Sequence, residues 1–306
     1  MKFVLLIICL FFVRVLPAQK PVTIECRIGE GIGKIMQLSG VNNGQQKILA
    51  SASYAQNGYY GFRFIPEYEG FYVLGDGKNH EYPLYLKAGD AVSLFMDKDT
   101  IYLTGKNNTA ENKVLYDWVN LSKRVCEKSI FFTRSRSTYE DFFPEFEVLL
   151  SKIKPFCKNI ETKNSRFNEL MKHFISYELD RFALNFIYTP RSKHPSKEQR
   201  IAYYNSIVDN NKFQDEVILE MPDGIKLLKL YMMFYCLENK KNASDLQESL
   251  AVIPNRKLQG TLVVEQAKGF GRSYFEYMEF MEKAKKYVDA DQLKILEDKA
   301  SELYEA

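Results

Sequence analysis

The sequence predicts an α+β chain: an antiparallel β-sandwich or barrel-like sheet over residues 19–107, followed by an α-helical domain over 108–306. Three observations carry this. Short apolar or alternating runs fill the first part at spacings of about ten residues. Turn-forming residues separate them. Near residue 108 the hydrophobic period changes from two to helical spacing and does not change back.

The strand runs are VTIECRI (22–28), KIMQLSG (34–40), QKILASA (46–52), YGFRFI (60–65), FYVLGD (71–76), YPLYLK (82–87), AVSLFMD (91–97) and TIYLTG (100–105). Asn42-Asn43-Gly44, Asn57-Gly58, Asp76-Gly77, Ala88-Gly89-Asp90 and Asp97-Lys98-Asp99 supply the turns. Pro83 cannot donate to a ladder, so its strand belongs at an edge or a bulge. IGEGIGK (28–34) lacks the glycine spacing of a phosphate loop, and a strand rather than a helix follows it. It reads as a glycine-rich hairpin turn.

The helical part opens at NNTAEN, where Asn108 and Glu111 have capping-box spacing; Leu115, Trp118, Val119 and Leu121 follow. Ser137 and Glu140 repeat the spacing before a stripe of Phe143, Phe146, Leu149, Leu150 and Ile153. Residues 166–188 form the strongest amphipathic helix, and 189–200 a basic, proline-bearing loop. Shorter helices are expected over 198–208 and 212–220. GIKLLKLYMMFYCLE (224–238) is apolar almost all round and too short to span a bilayer, which places it at the centre of the helical part. Helices over 243–252, 255–268, 272–287 and 289–304 complete the chain. The last, with Leu293, Leu296, Ala300, Leu303 and Tyr304 on one face, has no capping residue after it.

The first 18 residues read as a secretory signal: Lys2, an apolar run from Phe3 to Val13, then Leu16-Pro17-Ala18. Ile8 before Cys9 argues against a lipoprotein signal. Cleavage removes Lys2 and Arg14 and no acid, which takes the formal charge from +3 to +1. That balance leaves no electrostatic footprint for nucleic acid. Aromatic residues at 14% and hydrophobic residues at 46% indicate a folded chain. The expected location is the periplasm or cell envelope.

Cys26, Cys126, Cys157 and Cys236 remain after cleavage, with no C-x-x-C among them. Export permits disulfides. Cys126 and Cys157, on neighbouring helical segments, are the best candidate pair; four free thiols acting as small hydrophobes are the favoured reading. His80, His173 and His194 have no partner at metal-ligand spacing. Glu140, Asp141, Glu145 and Glu147 cluster where a helix start favours acids. Lys123, Arg124, Lys128, Arg134 and Arg136, interleaved with Phe131 and Phe132, read as a solvated helix end and loop. No catalytic, cofactor or metal site is legible.

Residues 71–118 carry a further pattern: a strand ending in Leu86, a turn through Gly89-Asp90, two more strands to Gly105, then Asn112 ahead of Trp118. This resembles the N-terminal region of exported thioredoxin-like proteins of the TlpA/ResA type, over about residues 22–118 by pattern and the rest by layout. In that family the helical segment leads into a thioredoxin domain, which is absent here together with its C-x-x-C, so no catalytic residue carries over. The final helix looks like the lead-in to such a domain. The resemblance implies a noncatalytic accessory region that positions or recruits a partner protein or thioredoxin-like domain, or forms a homodimer. The rival expectation is an extracytoplasmic module binding glycan or peptide, with Tyr54, Tyr59, Tyr60, Tyr68 and Tyr72 as stacking surfaces, unless these fill the core. An enzyme with an illegible site is the third.

Overall fold

A computed structural model describes residues 20–53, 58–77, 80–130, 136–208, 212–271 and 273–305. The signal segment, Tyr54, Phe131, Phe132 and Arg134 lie outside these.

Eight strands form two four-stranded sheets: β1 (Val22–Ile28), β2 (Ile35–Asn42), β3 (Gln45–Ser53), β4 (Tyr59–Phe64), β5 (Gly70–Gly75), β6 (Glu81–Leu86), β7 (Ala91–Met96) and β8 (Ile101–Leu103). The first sheet runs β4-β1-β7-β8 and the second β3-β2-β5-β6. All pairs are antiparallel except β1 with β7. The sheets do not close into a barrel. Val22, Ile24 and Cys26 of β1 meet Met36 and Leu38 of β2, and Tyr72, Leu74, Tyr82 and Leu84, in one core. Apolar residues at alternate positions fill it, while Thr23, Glu25 and Arg27 face out. The glycine-rich loop after β1 corrects the hairpin expectation. It joins strands of different sheets and so crosses between them. Pro83 lies on β6, an edge strand, as its missing N–H requires.

Nine helices follow among the described residues: α1 (Ala110–Ile130), α2 (Tyr139–Lys158), α3 (Ser165–Tyr188), α4 (Tyr203–Ile207), α5 (Gly224–Glu238), α6 (Leu246–Leu250), α7 (Arg256–Lys268), α8 (Tyr274–Ala284) and α9 (Ala290–Glu305). None is long and apolar enough to cross a membrane. The start of α2 falls one residue beyond the expected pair: Thr138 and Asp141 form the capping box. Of the segment expected helical over 212–220, only a short 3-10 turn, Val217–Glu220, is helical. α5 is not enclosed all round. Met233 is 45% and Leu237 58% exposed, on the face that also carries Lys226 and Lys229. These two lysines keep that face in water; Ile225, Leu228, Tyr231 and Phe234 bury the other.

The two parts share a wall. Every residue of β5 is buried, because the sheet's outer face is covered as well. Tyr72 and Leu74 point into the sandwich, while Phe71 joins the helical core. An aromatic seam binds the faces: Phe71 stacks on Phe174 at 4.9 Å, and Tyr85 meets Phe167 edge-on at 4.9 Å. Deeper in, Phe142 lies flat on Phe186 at 4.1 Å. The Asn43-Gly44 turn docks on the helical side. Gly44 donates its N–H to the Leu219 carbonyl at 2.7 Å and accepts from the Ile225 N–H at 3.0 Å. Its φ of +73° and the Ile225 nitrogen, 3.2 Å from where a Cβ would stand, require glycine.

The turn-motif residues form the joint. Asp90 accepts from the Lys87 N–H, and Lys87 pairs with Glu111 at 3.3 Å. Asn108 does not cap α1, contrary to expectation. Its amide accepts from the Ser93 N–H and donates to the Ser93 and Thr104 carbonyls, tying the entry segment to β7. The Thr109 hydroxyl accepts from the Asn112 N–H in its place. Asn112, fully buried, accepts from the Tyr85 N–H at 2.9 Å and donates to the Tyr85 carbonyl at 2.8 Å. It completes the open edge of β6 where no strand is available.

Candidate functional site

Between the second sheet, the β7–β8 turn and the helices lies a cleft of about 520 Å³. Val73 and Pro83 lie on the sheet side, Cys126 on α1, Phe174 and Arg181 on α3, and Asp223 just before α5. The volume is within the roughly 300–1,000 Å³ range of small-molecule pockets.

Its deepest charge is Arg181. The Nε and Nη2 atoms donate to the two Glu178 oxygens at 2.7 and 2.9 Å, a forked pair three residues apart on α3. Nη1 faces Asp223 at 3.7 Å. Burial opposes the charge, but Glu178 and Asp223 outweigh it and keep the guanidinium protonated. Burial also works against the Asp223 carboxylate, yet Arg181 and Lys226 hold its pKa below the usual value. Gln46 on β3 donates to Glu81 on β6 at 3.1 Å and also bonds Asp223, so the network crosses from sheet to helices.

His80 Nδ1 meets Asp76 at 2.8 Å, and its Nε2 has no partner among the described residues. The Tyr82 hydroxyl is buried and also lacks one. Burial, then the nearby Tyr116 and Asp117, push the Tyr82 pKa up. No group of histidine, cysteine and acidic side chains among the described residues has the geometry of a metal site.

The four cysteines are free thiols. The Cys126–Cys157 bridge is not formed, and the α1–α2 hairpin explains why. Glu145 bonds both Arg124 and Lys128, so Cys126 is level with Glu145. Cys157 lies twelve residues farther along α2, which at 1.5 Å per residue is about 18 Å. Its neighbour Phe156 instead meets Trp118 at 5.9 Å. Burial pushes Cys26 and Cys126 up to about 12. It also raises Cys157 and Cys236, with Lys172 and Lys241 respectively acting in the opposite direction.

The remaining sequence candidates have structural roles. Tyr60 and Tyr72 are core residues, and Tyr68 stacks on Tyr72 at 4.8 Å with its hydroxyl bonded to Val41 and Phe71; of the four described tyrosines, Tyr59 keeps the most exposure. Arg124 and Lys128 are held by Glu145, and Lys123 by the Asp99 carbonyl. His173 packs near Tyr177, and His194 accepts from the Arg191 N–H. Sequence reasoning missed Gln46, Glu81, Glu178, Arg181 and Asp223. Only the Glu178–Arg181 spacing on a helix was a readable signal.

No family model, curated protein or solved structure matches this chain.

Proposed function

We propose that this chain is a noncatalytic accessory module of an exported thiol–disulfide system, similar to the β-plus-helical region of TlpA/ResA-like proteins or a stand-alone relative of them. It acts by positioning or recruiting a partner protein. The observation that supports a noncatalytic role is the state of the thiols. Exchange chemistry needs an accessible thiolate of lowered pKa, usually beside a resolving thiol. Here all four pKa values are raised, and the best candidate pair stands at different levels of its hairpin. The test is insulin reduction with dithiothreitol. Turnover at background is expected; turnover well above it that disappears in Cys126→Ser or Cys157→Ser would sink the proposal.

The cleft favours a second reading, an extracytoplasmic module that binds a ligand. A concave, partly apolar site with a few fixed polar groups is the usual form of a binding pocket. Thermal-shift screening against glycans, peptides and small molecules tests it. Failure of every ligand to raise the melting temperature counts against it.

A further inference from the structure

We infer that the cleft takes a small organic primary ammonium ion with an apolar body, and that Glu81 on the β6 edge recognises the charge. This rests on the ligand-binding reading and names its ligand class.

The charge balance of the cleft carries the inference. Among the described residues six carboxylates line it: Glu81, Asp97, Asp99, Glu127, Glu178 and Asp223. Four cations face them, and each has a carboxylate within 4 Å. Arg181 is forked on Glu178 and turned to Asp223, Lys226 pairs with Asp223, Lys123 with Glu127 and Lys98 with Asp99. An anion arriving here finds no unpaired cation and meets a surplus of negative charge. Two carboxylates form no salt bridge among the described residues, although Lys123 is near enough to Asp97 to help lower its pKa. Asp97 is satisfied by the Asp99 and Thr100 N–H groups of its own turn. Glu81 has only the Gln46 amide.

Glu81 also stands where the wall has unmet hydrogen-bonding capacity. His80 Nε2 and the Tyr82 hydroxyl, on the strand face opposite Glu81, line the cleft without a partner among the described residues. Both orphaned atoms are closed to solvent, so a ligand reaches them only through a side-chain rotation at the β6 edge. An ammonium group, with three donors and one positive charge, matches a carboxylate that has only a neutral amide for a partner. Val73, Pro83 and Phe174 supply the apolar surface for its body.

The test is calorimetric titration of the full chain with phenethylamine, phenethyl alcohol and 3-phenylpropionate, with Trp118 fluorescence as a second readout. The amine should bind saturably, at least about tenfold more tightly than the alcohol, and the carboxylate should not bind. Glu81 is exposed, so Glu81→Gln should fold normally, and it should weaken the amine at least about fivefold while leaving the alcohol unchanged. Amine binding no tighter than alcohol binding, or insensitive to Glu81→Gln, overturns the inference. Binding of a neutral glycan or peptide without any amine binding overturns it too, but leaves the ligand-binding reading intact. If no probe, glycan or peptide binds, both fall.

Discussion

Asn112→Ala tests the joint between sandwich and helices. The side chain is fully buried and makes two hydrogen bonds to one backbone unit, the Tyr85 N–H at 2.9 Å and carbonyl at 2.8 Å. Both backbone groups point away from β5, at an edge with no further strand. Truncation leaves a buried donor and a buried acceptor without partners. Each costs about 1–3 kcal/mol, so the expected loss is roughly 2–5 kcal/mol; water entering the gap moves it toward the lower end. Asn120→Ala is the control. Asn120 is on the same helix but exposed, and bonds only the Tyr116 carbonyl, so its loss should stay within about 0.5 kcal/mol. Urea unfolding, followed by Trp118 fluorescence and far-UV circular dichroism, measures both. Asn112→Asp adds a check, because it keeps the acceptor, removes the donor and buries a charge near Glu111. At neutral pH it should cost at least as much as alanine. A loss below about 1 kcal/mol in Asn112→Ala, or one equal to that of Asn120→Ala, refutes the reasoning.

Phe142→Ala removes a ring stacked on Phe186 at 4.1 Å and on Phe146 at 5.3 Å; it should cost about 3–5 kcal/mol by the same unfolding assay, and a cost under about 1 kcal/mol contradicts the assigned packing. Tyr82→Phe removes an orphaned buried hydroxyl and should stabilise the ligand-free chain by about 1 kcal/mol, whereas a fall in melting temperature would mean the hydroxyl has a partner after all. In thiol titration at mildly alkaline pH, Cys26, Cys126 and Cys236 should react only on unfolding; rapid labelling of Cys126 in the native chain contradicts its raised pKa. Asp223, whose carboxyl is held below its ordinary value of 3.8, contributes stability that is complete above that value and is lost as pH falls through the lower folded pKa. The stability gap between the chain and Asp223→Asn should therefore be full at about pH 6 and narrow toward about pH 3, and a gap constant over that range excludes the pairing as its source.

What was legible in the sequence follows from what periodicity encodes. Alternation in VTIECRI identified the buried face of β1, and the proline in YPLYLK placed β6 at an edge. Neither property names a neighbour. The glycine loop after β1 therefore looked like a hairpin although β2 belongs to the other sheet, and the parallel β1–β7 pair left no local trace. Capping-box spacing came within one residue at Thr138 but failed at Asn108, because a tertiary bond to Ser93 outcompeted the local cap. The full burial of α5 was overestimated, since composition alone does not reveal that Lys226, Lys229, Met233 and Leu237 share a face that stays open. The cleft was illegible for a stronger reason. Gln46, Glu81, Arg181 and Asp223 come from four separate segments, and no spacing rule links them.

The turn and joint residues Asp90, Asn108 and Asn112 and the residues lining the cleft are different sets. Asp90, Asn108 and Asn112 spend their hydrogen bonds on the chain's own backbone, at Lys87, Ser93 and Tyr85. Glu81 and Tyr82 precede Tyr85 by four and three residues on the same strand and line the cleft. The joint ties α1 to β6, and the Gly44 turn docks at Leu219 and Ile225, so both connect elements that line the cleft. A change at Asn112 should therefore alter ligand affinity without touching a ligand, whereas a change at Glu81 should alter affinity without altering stability. Comparing the two variants by titration and by unfolding separates the frame from the site it holds open.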